Sequence, residues 1–222
     1  MAINQQQIAK IKGVTDVVFC IDRSKSMHPC IEGLKKTINT FIHSVETTNE
    51  SVEVDWRIGF LAYDDKKFYQ FDLTDKIEDF TSKLSEIVTG GNEYTPGALD
   101  YLINSFQWRQ EANRTIILFT NESFKGGILK GLDPGKWDNL LQRIMEMKIR
   151  VKYFGPECPY YRKFEQTPRC NTTIVKDFST VDFTSLMKLL GSTVSQASTQ
   201  GSPNIEGGNH LYDLSDISII KI

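Results

Sequence analysis

The chain has 222 residues, of which 40% are hydrophobic and 24% charged, with a formal net charge of −2. This composition is typical of a folded globular protein, and the charge balance argues against binding nucleic acid through broad phosphate neutralisation. No apolar run approaches the roughly 20 residues of a membrane-spanning helix, and the starting sequence MAINQQQIAKIKG lacks the apolar core of a secretory signal. We therefore expect a cytoplasmic protein without a membrane or nucleic-acid partner.

Strand-like and helix-like segments alternate in the first half of the chain. Residues 15–21 (TDVVFCI) form a continuous apolar run, which is typical of a buried central strand. From Ile31 to Val45 the apolar positions recur with helical spacing and predict an amphipathic helix. Residues 52–64 and 67–73 then predict two strands close enough in sequence to form an antiparallel hairpin at the sheet edge.

The alternation continues in the second half. Residues 76–88 predict a helix, and Pro96 and Pro134 each predict the first turn of another. The remaining segments are, in chain order, predicted strands at 114–120, 149–154 and 172–175 and a closing helix at 181–194. Together they predict a doubly wound α/β fold with a mostly parallel central sheet, one antiparallel edge strand and helices on both faces.

The composition changes after the last predicted helix. We expect one domain over residues 1–195, a flexible Ser- and Gly-rich linker over residues 196–209, and a β-prone tail over residues 210–222. The tail has three open alternatives: it folds back onto an edge of its own sheet, adds as a docking strand to a partner's sheet, or is disordered. An acidic tail residue such as Asp213 or Asp216 could also fill a site on the chain's own sheet.

The cysteine content does not predict a disulfide framework. The chain has Cys20, Cys30, Cys158 and Cys170, and without a secretory signal we expect reduced thiols. Cys158 and Cys170 bracket a loop, so a pairing between them stays open. A zinc site there would need two further ligands at short spacing, and the loop offers neither a CxxC pair nor a nearby His.

The first predicted strand ends in a motif of oxygen-bearing side chains. Asp22, Ser24 and Ser26 alternate just beyond the buried run, at the edge where open α/β sheets bind ligands. A carboxylate with two hydroxyls is a hard-oxygen set that suits Mg²⁺ or Mn²⁺. The alternative is that Asp22 and Ser24 only cap the helix that follows.

Two further features strengthen the metal interpretation. The sequence GGNEYTP at residues 90–96 presents the Thr95 hydroxyl at a helix start beside a glycine turn. The apolar strand RTIILFT runs directly into Asn121, which places another polar side chain at the carboxyl end of a strand.

These three motifs resemble those of a von Willebrand factor A domain over about residues 14–194. In that family a metal-ion-dependent adhesion site uses an Asp-x-Ser-x-Ser motif, a Thr before a Pro, and an Asp after a later apolar strand. Carried over by position, the resemblance implies that Mg²⁺ or Mn²⁺ is held by Asp22, Ser24, Ser26, Thr95 and Asn121.

The resemblance also implies a function. An acidic residue of a partner protein would complete the coordination of the metal, and the chain would work by recognition and not by catalysis. The compact form is similar to bacterial von Willebrand A proteins of multi-protein stress or conflict systems. Exposed candidates for the rim of such a site are His28, Tyr94, Glu122 and Phe124.

The sequence departs from the family pattern at three positions, and two of these, Lys25 and Asn121, support a second hypothesis. Lys25 replaces the usual Gly, Arg23 adds another positive charge near the site, and Asn121 stands where the family usually has Asp. Since like charges weaken cation binding, the alternative is a metal-free scaffold that acts through its faces and its tail.

A third hypothesis is a haloacid-dehalogenase-type phosphatase. The segments FCIDRS and ILFTN resemble the first and second motifs of those enzymes. That chemistry needs Asp22 as nucleophile and a second carboxylate two residues on as general acid, and this position holds Ser24.

Overall fold

The computed structural model describes residues 11–48, 52–122, 133–200 and 209–222. The strands in these ranges are β1 (Ile11–Asp22), β2 (Val52–Tyr63), β3 (Lys67–Thr74), β4 (Asn113–Phe119), β5 (Arg150–Gly155), β6 (Asn171–Ile174) and β7 (Ser218–Lys221). The α-helices are α1 (His28–Thr47), α2 (Ile77–Ser85), α3 (Thr95–Ser105), α4 (Pro134–Glu146) and α5 (Phe183–Ala197). Pro96 lies in the first turn of α3 and Pro134 begins α4, as predicted.

The strands form one sheet in the order β6-β5-β4-β1-β2-β3-β7. Only β2 and β3 pair antiparallel, while the other neighbours are parallel. The predicted doubly wound, mostly parallel α/β fold is therefore confirmed. The predicted hairpin is also present, although β7 pairs with the outer side of β3 and forms the edge in its place.

The core lies in two layers because β1 is buried on both faces. Val17 and Phe19 pack with apolar side chains of α1, α2 and α5, whereas Val18 and Cys20 pack with those of α3 and α4. Phe19 meets Phe41 of α1 edge to face, with ring centroids 5.3 Å apart. A strand covered by helices on both sides explains why its sequence is a continuous apolar run.

The tail folds back onto its own sheet. β7 pairs parallel with β3, from Ser218 beside Lys67 to Lys221 beside Gln70. Upstream of β7, the buried carboxylate of Asp100 in α3 accepts hydrogen bonds from the backbone amides of residues 211 and 212, at 2.7 and 3.0 Å. The first of the three alternatives for the tail is therefore the one observed. Most of the predicted linker, residues 201–208, lies outside the described residues.

The four cysteines are free and buried, so the open pairing of Cys158 with Cys170 is absent from the fold. Among the helices that the structure describes, none combines the length and the apolar character needed to cross a bilayer.

Candidate metal centre

The candidate site lies where β1, β2 and β4 end, an edge we call the upper edge of the sheet. Asp22 is the last residue of β1, Thr95 is the first residue of α3, and Asn121 follows β4 closely. Because β1 is parallel to both β2 and β4, the carboxyl ends of all three strands meet at this edge.

Ser24 joins two of the other predicted ligands, Ser26 and Asn121. The Ser24 hydroxyl lies 3.3 Å from the Ser26 hydroxyl and donates to the side-chain oxygen of Asn121 at 3.2 Å. Ser26 is exposed and Asn121 half-buried, whereas Ser24 is buried. These oxygens therefore open to solvent on one side.

Asp22 lies deeper and is held by neutral donors. Its carboxylate accepts the Ser24 amide at 2.8 Å and the Thr120 hydroxyl at 2.8 Å. Thr120 is also within 3.4 Å of the Thr95 hydroxyl, which in turn lies 2.7 Å from the Tyr63 hydroxyl. Thr120 thus bridges Asp22 and Thr95. Neither Thr120 nor Tyr63 was predicted, since their roles follow from the register of β1 with its neighbours.

The Asp22 carboxyl is fully buried, with 0% exposure. Burial raises the pKa of Asp22 to about 7, more than the hydrogen bonds from Ser24 and Thr120 lower it, and the nearby Glu93 adds to the rise. Within the described ranges no Lys, Arg or His forms an ion pair with Asp22. A buried carboxyl without a basic partner is stabilised by binding either a proton or a cation.

The donor set fits a hard divalent cation. One carboxylate, three hydroxyls and one amide oxygen are the ligand types that Mg²⁺ and Mn²⁺ prefer. In the part of the chain that the structure describes, no group of three or more His, Cys, Asp or Glu side chains could hold a metal. The candidate set differs because most of its oxygens are neutral.

The interpretation of Asp22 and Ser24 as simple helix caps is wrong. A short 3-10 turn, Lys25–Met27, separates the motif from α1, and Ser24 makes no side-chain cap to that turn. The residue before α1 is Met27, which also makes no side-chain cap. The side chains of Asp22 and Ser24 therefore make their contacts at the upper edge of the sheet and do not cap a helix.

Arg23 does not place a free positive charge at the site. Its guanidinium pairs with the buried Asp64 carboxylate, donates to the Val88 carbonyl at 2.9 Å, and stacks over the Tyr69 ring at 4.6 Å. The predicted charge is therefore neutralised and held by β3 and the loop after α2. Lys25 is exposed, so its flexible side chain can extend into solvent.

Glu122 is not an exposed rim residue, and that prediction is wrong. Its side chain is 4% exposed, and its carboxylate accepts the Thr95 amide at 3.2 Å and the Tyr161 hydroxyl at 3.0 Å. Burial raises the pKa of Glu122 despite these hydrogen bonds. Of the other rim candidates, His28 is exposed and Tyr94 half-buried, while Phe124 lies outside the described residues.

In the part of the chain that the structure describes, neither acidic tail residue, Asp213 or Asp216, contacts the candidate site. The Asp213 carboxylate is exposed and accepts the Ser215 amide at 2.9 Å, while its backbone carbonyl accepts the Tyr94 hydroxyl at 3.1 Å. Asp216 is exposed.

Comparison with known proteins identifies the family. The sequence model of the von Willebrand factor type A domain matches residues 16–188, and the chain belongs to this family of protein-interaction modules. A comparison with curated proteins found no match.

Two solved structures show the same fold. The chain is similar to the von Willebrand factor type A protein from Catenulispora acidiphila, with a TM-score of 0.63 and 13% identity, over 82% of this chain and 43% of that one. It is also similar to the SpRpn10 VWA domain, with a TM-score of 0.57 and 15% identity, over 86% of this chain and 98% of that one. The chain thus spans less than half of the first protein and nearly all of the second.

Proposed function

We propose that this domain binds an acidic residue of a partner protein through Mg²⁺ or Mn²⁺ held at the candidate site. The observation that supports this most is the state of Asp22: a fully buried carboxyl, without a basic partner in the described ranges, beside hydroxyl and amide oxygens. A divalent cation would supply the missing positive charge. With mostly neutral ligands, that cation would keep a net charge that attracts one further carboxylate.

The exposure of the site supports recognition. Ser26 and Asn121 reach solvent, so a carboxylate from a partner could approach a metal from their side. Asp22 would provide the charge, and the hydroxyls of Ser24, Ser26 and Thr95 with the Asn121 amide would provide neutral oxygens. One carboxylate fixes the register of a partner, and the surrounding loops would supply most of the affinity.

The other hypotheses have less support. The metal-free scaffold rests on Lys25 and Asn121, and Lys25 is exposed, so its flexible side chain can extend away from the site. The phosphatase lacks its general acid because Ser24 occupies that position.

We propose binding and not catalysis, and a cytoplasmic setting, which the four free thiols support. A place in a bacterial stress or conflict system stays a prediction.

Water proton relaxation of bound Mn²⁺ tests this proposal. Wild-type protein should enhance relaxation on binding Mn²⁺, and acetate should then lower the enhancement because a carboxylate displaces coordinated water. Thr95→Ala should weaken Mn²⁺ binding. Thr15→Ala, which removes a buried hydroxyl at the opposite end of β1, is the matched control and should bind as wild type. Absence of enhancement in the wild type, or equal binding by Thr95→Ala, would count against the proposal.

A further inference from the structure

We infer that Glu122 is a positioning residue of the candidate site: it fixes Thr95 and supplies a buried negative charge next to Asn121, where the family usually has Asp. This inference rests on the proposed function, since it concerns the same cation. It assigns a role to a residue that the Asp-x-Ser-x-Ser pattern does not contain.

The first step of the argument is the contact between Glu122 and the start of α3. Tyr94, the residue before α3, makes no side-chain cap to the helix. The Glu122 carboxylate instead accepts the Thr95 amide at 3.2 Å from another part of the chain. A carboxylate is stabilised at a helix amino terminus by the exposed amides and the helix dipole. Glu122 therefore fixes the backbone of the residue whose hydroxyl is a predicted ligand.

The second step concerns the orientation of the Thr95 hydroxyl. The Tyr63 hydroxyl lies 2.7 Å from it, and Tyr63 is 0% exposed, so the contact cannot shift to solvent. The Thr95 hydroxyl donates its proton to the Thr120 oxygen at 3.4 Å and therefore accepts from Tyr63, which leaves one lone pair of its oxygen for a cation. Residues that orient metal ligands in this way commonly set the affinity of the site.

The third step is charge. Glu122 also donates its own amide to the Thr120 hydroxyl at 2.9 Å, and Thr120 donates to the Asp22 carboxylate at 2.8 Å. The Glu122 carboxylate itself contacts the Thr95 amide, and the Thr95 hydroxyl contacts Thr120, so both carboxylates lie at the same sheet edge on either side of Thr95 and Thr120. In the low-dielectric interior, a second carboxylate at this range increases the attraction for a cation. Asn121 lacks that charge, and Glu122 directly follows it.

Calorimetric titration of Mg²⁺ into full-length variants tests the inference. Glu122→Gln keeps a side-chain oxygen that can accept from Thr95 and Tyr161 but removes the charge, so Mg²⁺ affinity should fall by about tenfold. Tyr161→Phe removes one hydrogen bond to Glu122 without changing any charge and should bind as wild type. The double variant Asn121→Asp/Glu122→Gln should regain most of the lost affinity, because it returns a carboxylate to the edge.

Thermal unfolding in EDTA separates positioning from a purely structural role. Replacing a buried carboxylate with an amide should not lower the melting temperature of the metal-free protein, since the charge is costly to bury. Weaker Mg²⁺ binding with an unchanged or higher melting temperature supports the inference.

Three results would overturn it. Glu122→Gln that binds Mg²⁺ as wild type refutes the role of Glu122 and leaves the proposed function standing. Weaker binding with a lower melting temperature in EDTA and no recovery by Asn121→Asp assigns Glu122 a structural role only. A wild-type protein that binds neither Mg²⁺ nor Mn²⁺ refutes both the inference and the proposed function.

Discussion

The two ends of β1 carry the same residue type in different electrostatic surroundings. Asp16 near the lower end and Asp22 at the upper end are both fully buried. The Asp16 carboxylate accepts hydrogen bonds from Arg57 at 3.0 and 2.8 Å and from Arg109 at 2.7 and 2.9 Å. The Asp22 carboxylate accepts from the Ser24 amide and the Thr120 hydroxyl, and no basic side chain of the described residues pairs with it.

This difference separates a structural carboxylate from a candidate functional one. The other buried aspartates follow the Asp16 pattern: Asp64 pairs with Arg23, and Asp100 lies 3.9 Å from Arg143 and accepts two backbone amides of the tail. Buried charges are ordinarily paired. Within the described residues, Asp22 and Glu122 are the buried acids that form no ion pair with a basic side chain. Both lie at the upper edge of the sheet, where we propose the cation.

Asp16→Asn should disrupt the ion pairs at the lower end of β1 and have the largest effect on stability. It would leave Arg57 without the Asp16 carboxylate and Arg109 with Asp55 alone, and unfolding free energy should fall by about 3 kcal/mol. Both arginine side chains are 25% exposed, so partial hydration keeps the loss at the lower end of the usual range. Urea denaturation measures this. Mg²⁺ affinity should stay unchanged, and a variant as stable as wild type would contradict the assignment.

Asp22→Asn should raise the stability of the metal-free protein, whereas Asp16→Asn lowers it. At pH 8 the metal-free variant should be more stable than wild type by about 2 kcal/mol, because it removes a buried charge that nothing pairs. The same variant should lose Mg²⁺ binding. Urea denaturation in EDTA checks the first expectation, and a clear loss of stability would show that the Asp22 carboxylate is structural.

The raised pKa of Asp22 predicts a pH dependence that sharpens the contrast. Between pH 4 and its native pKa of about 7, the native state holds a proton that the unfolded chain has released, so metal-free stability should decline as pH rises through this window. A bound cation would remove the penalty. The melting-temperature increase on adding Mg²⁺ should therefore be larger at pH 8 than at pH 5. Asp22→Asn should lose this difference, and its persistence in that variant would assign the titration elsewhere.

Asp100→Asn should loosen the tail without changing the candidate site, and it gives the smallest expected effect. One hydrogen-bond acceptor for the amides of Leu211 and Tyr212 is weakened, which should lower stability by about 1 kcal/mol. Hydrogen exchange at residues 211–212 should become faster, while Mg²⁺ affinity should match wild type. A large drop in affinity would mean that the tail and the metal site are coupled.

Much of the fold could be predicted because its signals are local. The continuous apolar runs predicted β1 and β4, and Pro96 and Pro134 predicted the starts of two helices. The tail had several alternatives from the sequence, since a β-prone segment does not indicate which edge it joins. The pairing of β7 with β3 is a long-range contact.

The site could be predicted less completely. Motif spacing gave Ser24, Ser26 and Asn121, which the fold brings into contact, while their role as ligands stays a prediction. Arg23 was expected to add charge at the site, because its partner Asp64 is 41 positions away in the sequence. The burial of Glu122 could not be predicted either, since it depends on the Thr95 amide and the Tyr161 hydroxyl from distant elements.

The most direct test of the central claim is a calorimetric titration of Mg²⁺ at pH 8 into three proteins: wild type, Asp22→Asn, and Asp100→Asn. The last variant neutralises a different buried carboxyl, one with several donors, and serves as the matched control. We predict saturable binding by wild type and Asp100→Asn and none by Asp22→Asn. Equal binding by Asp22→Asn, or no binding by wild type, would contradict the proposal that the upper edge of the sheet holds a divalent cation.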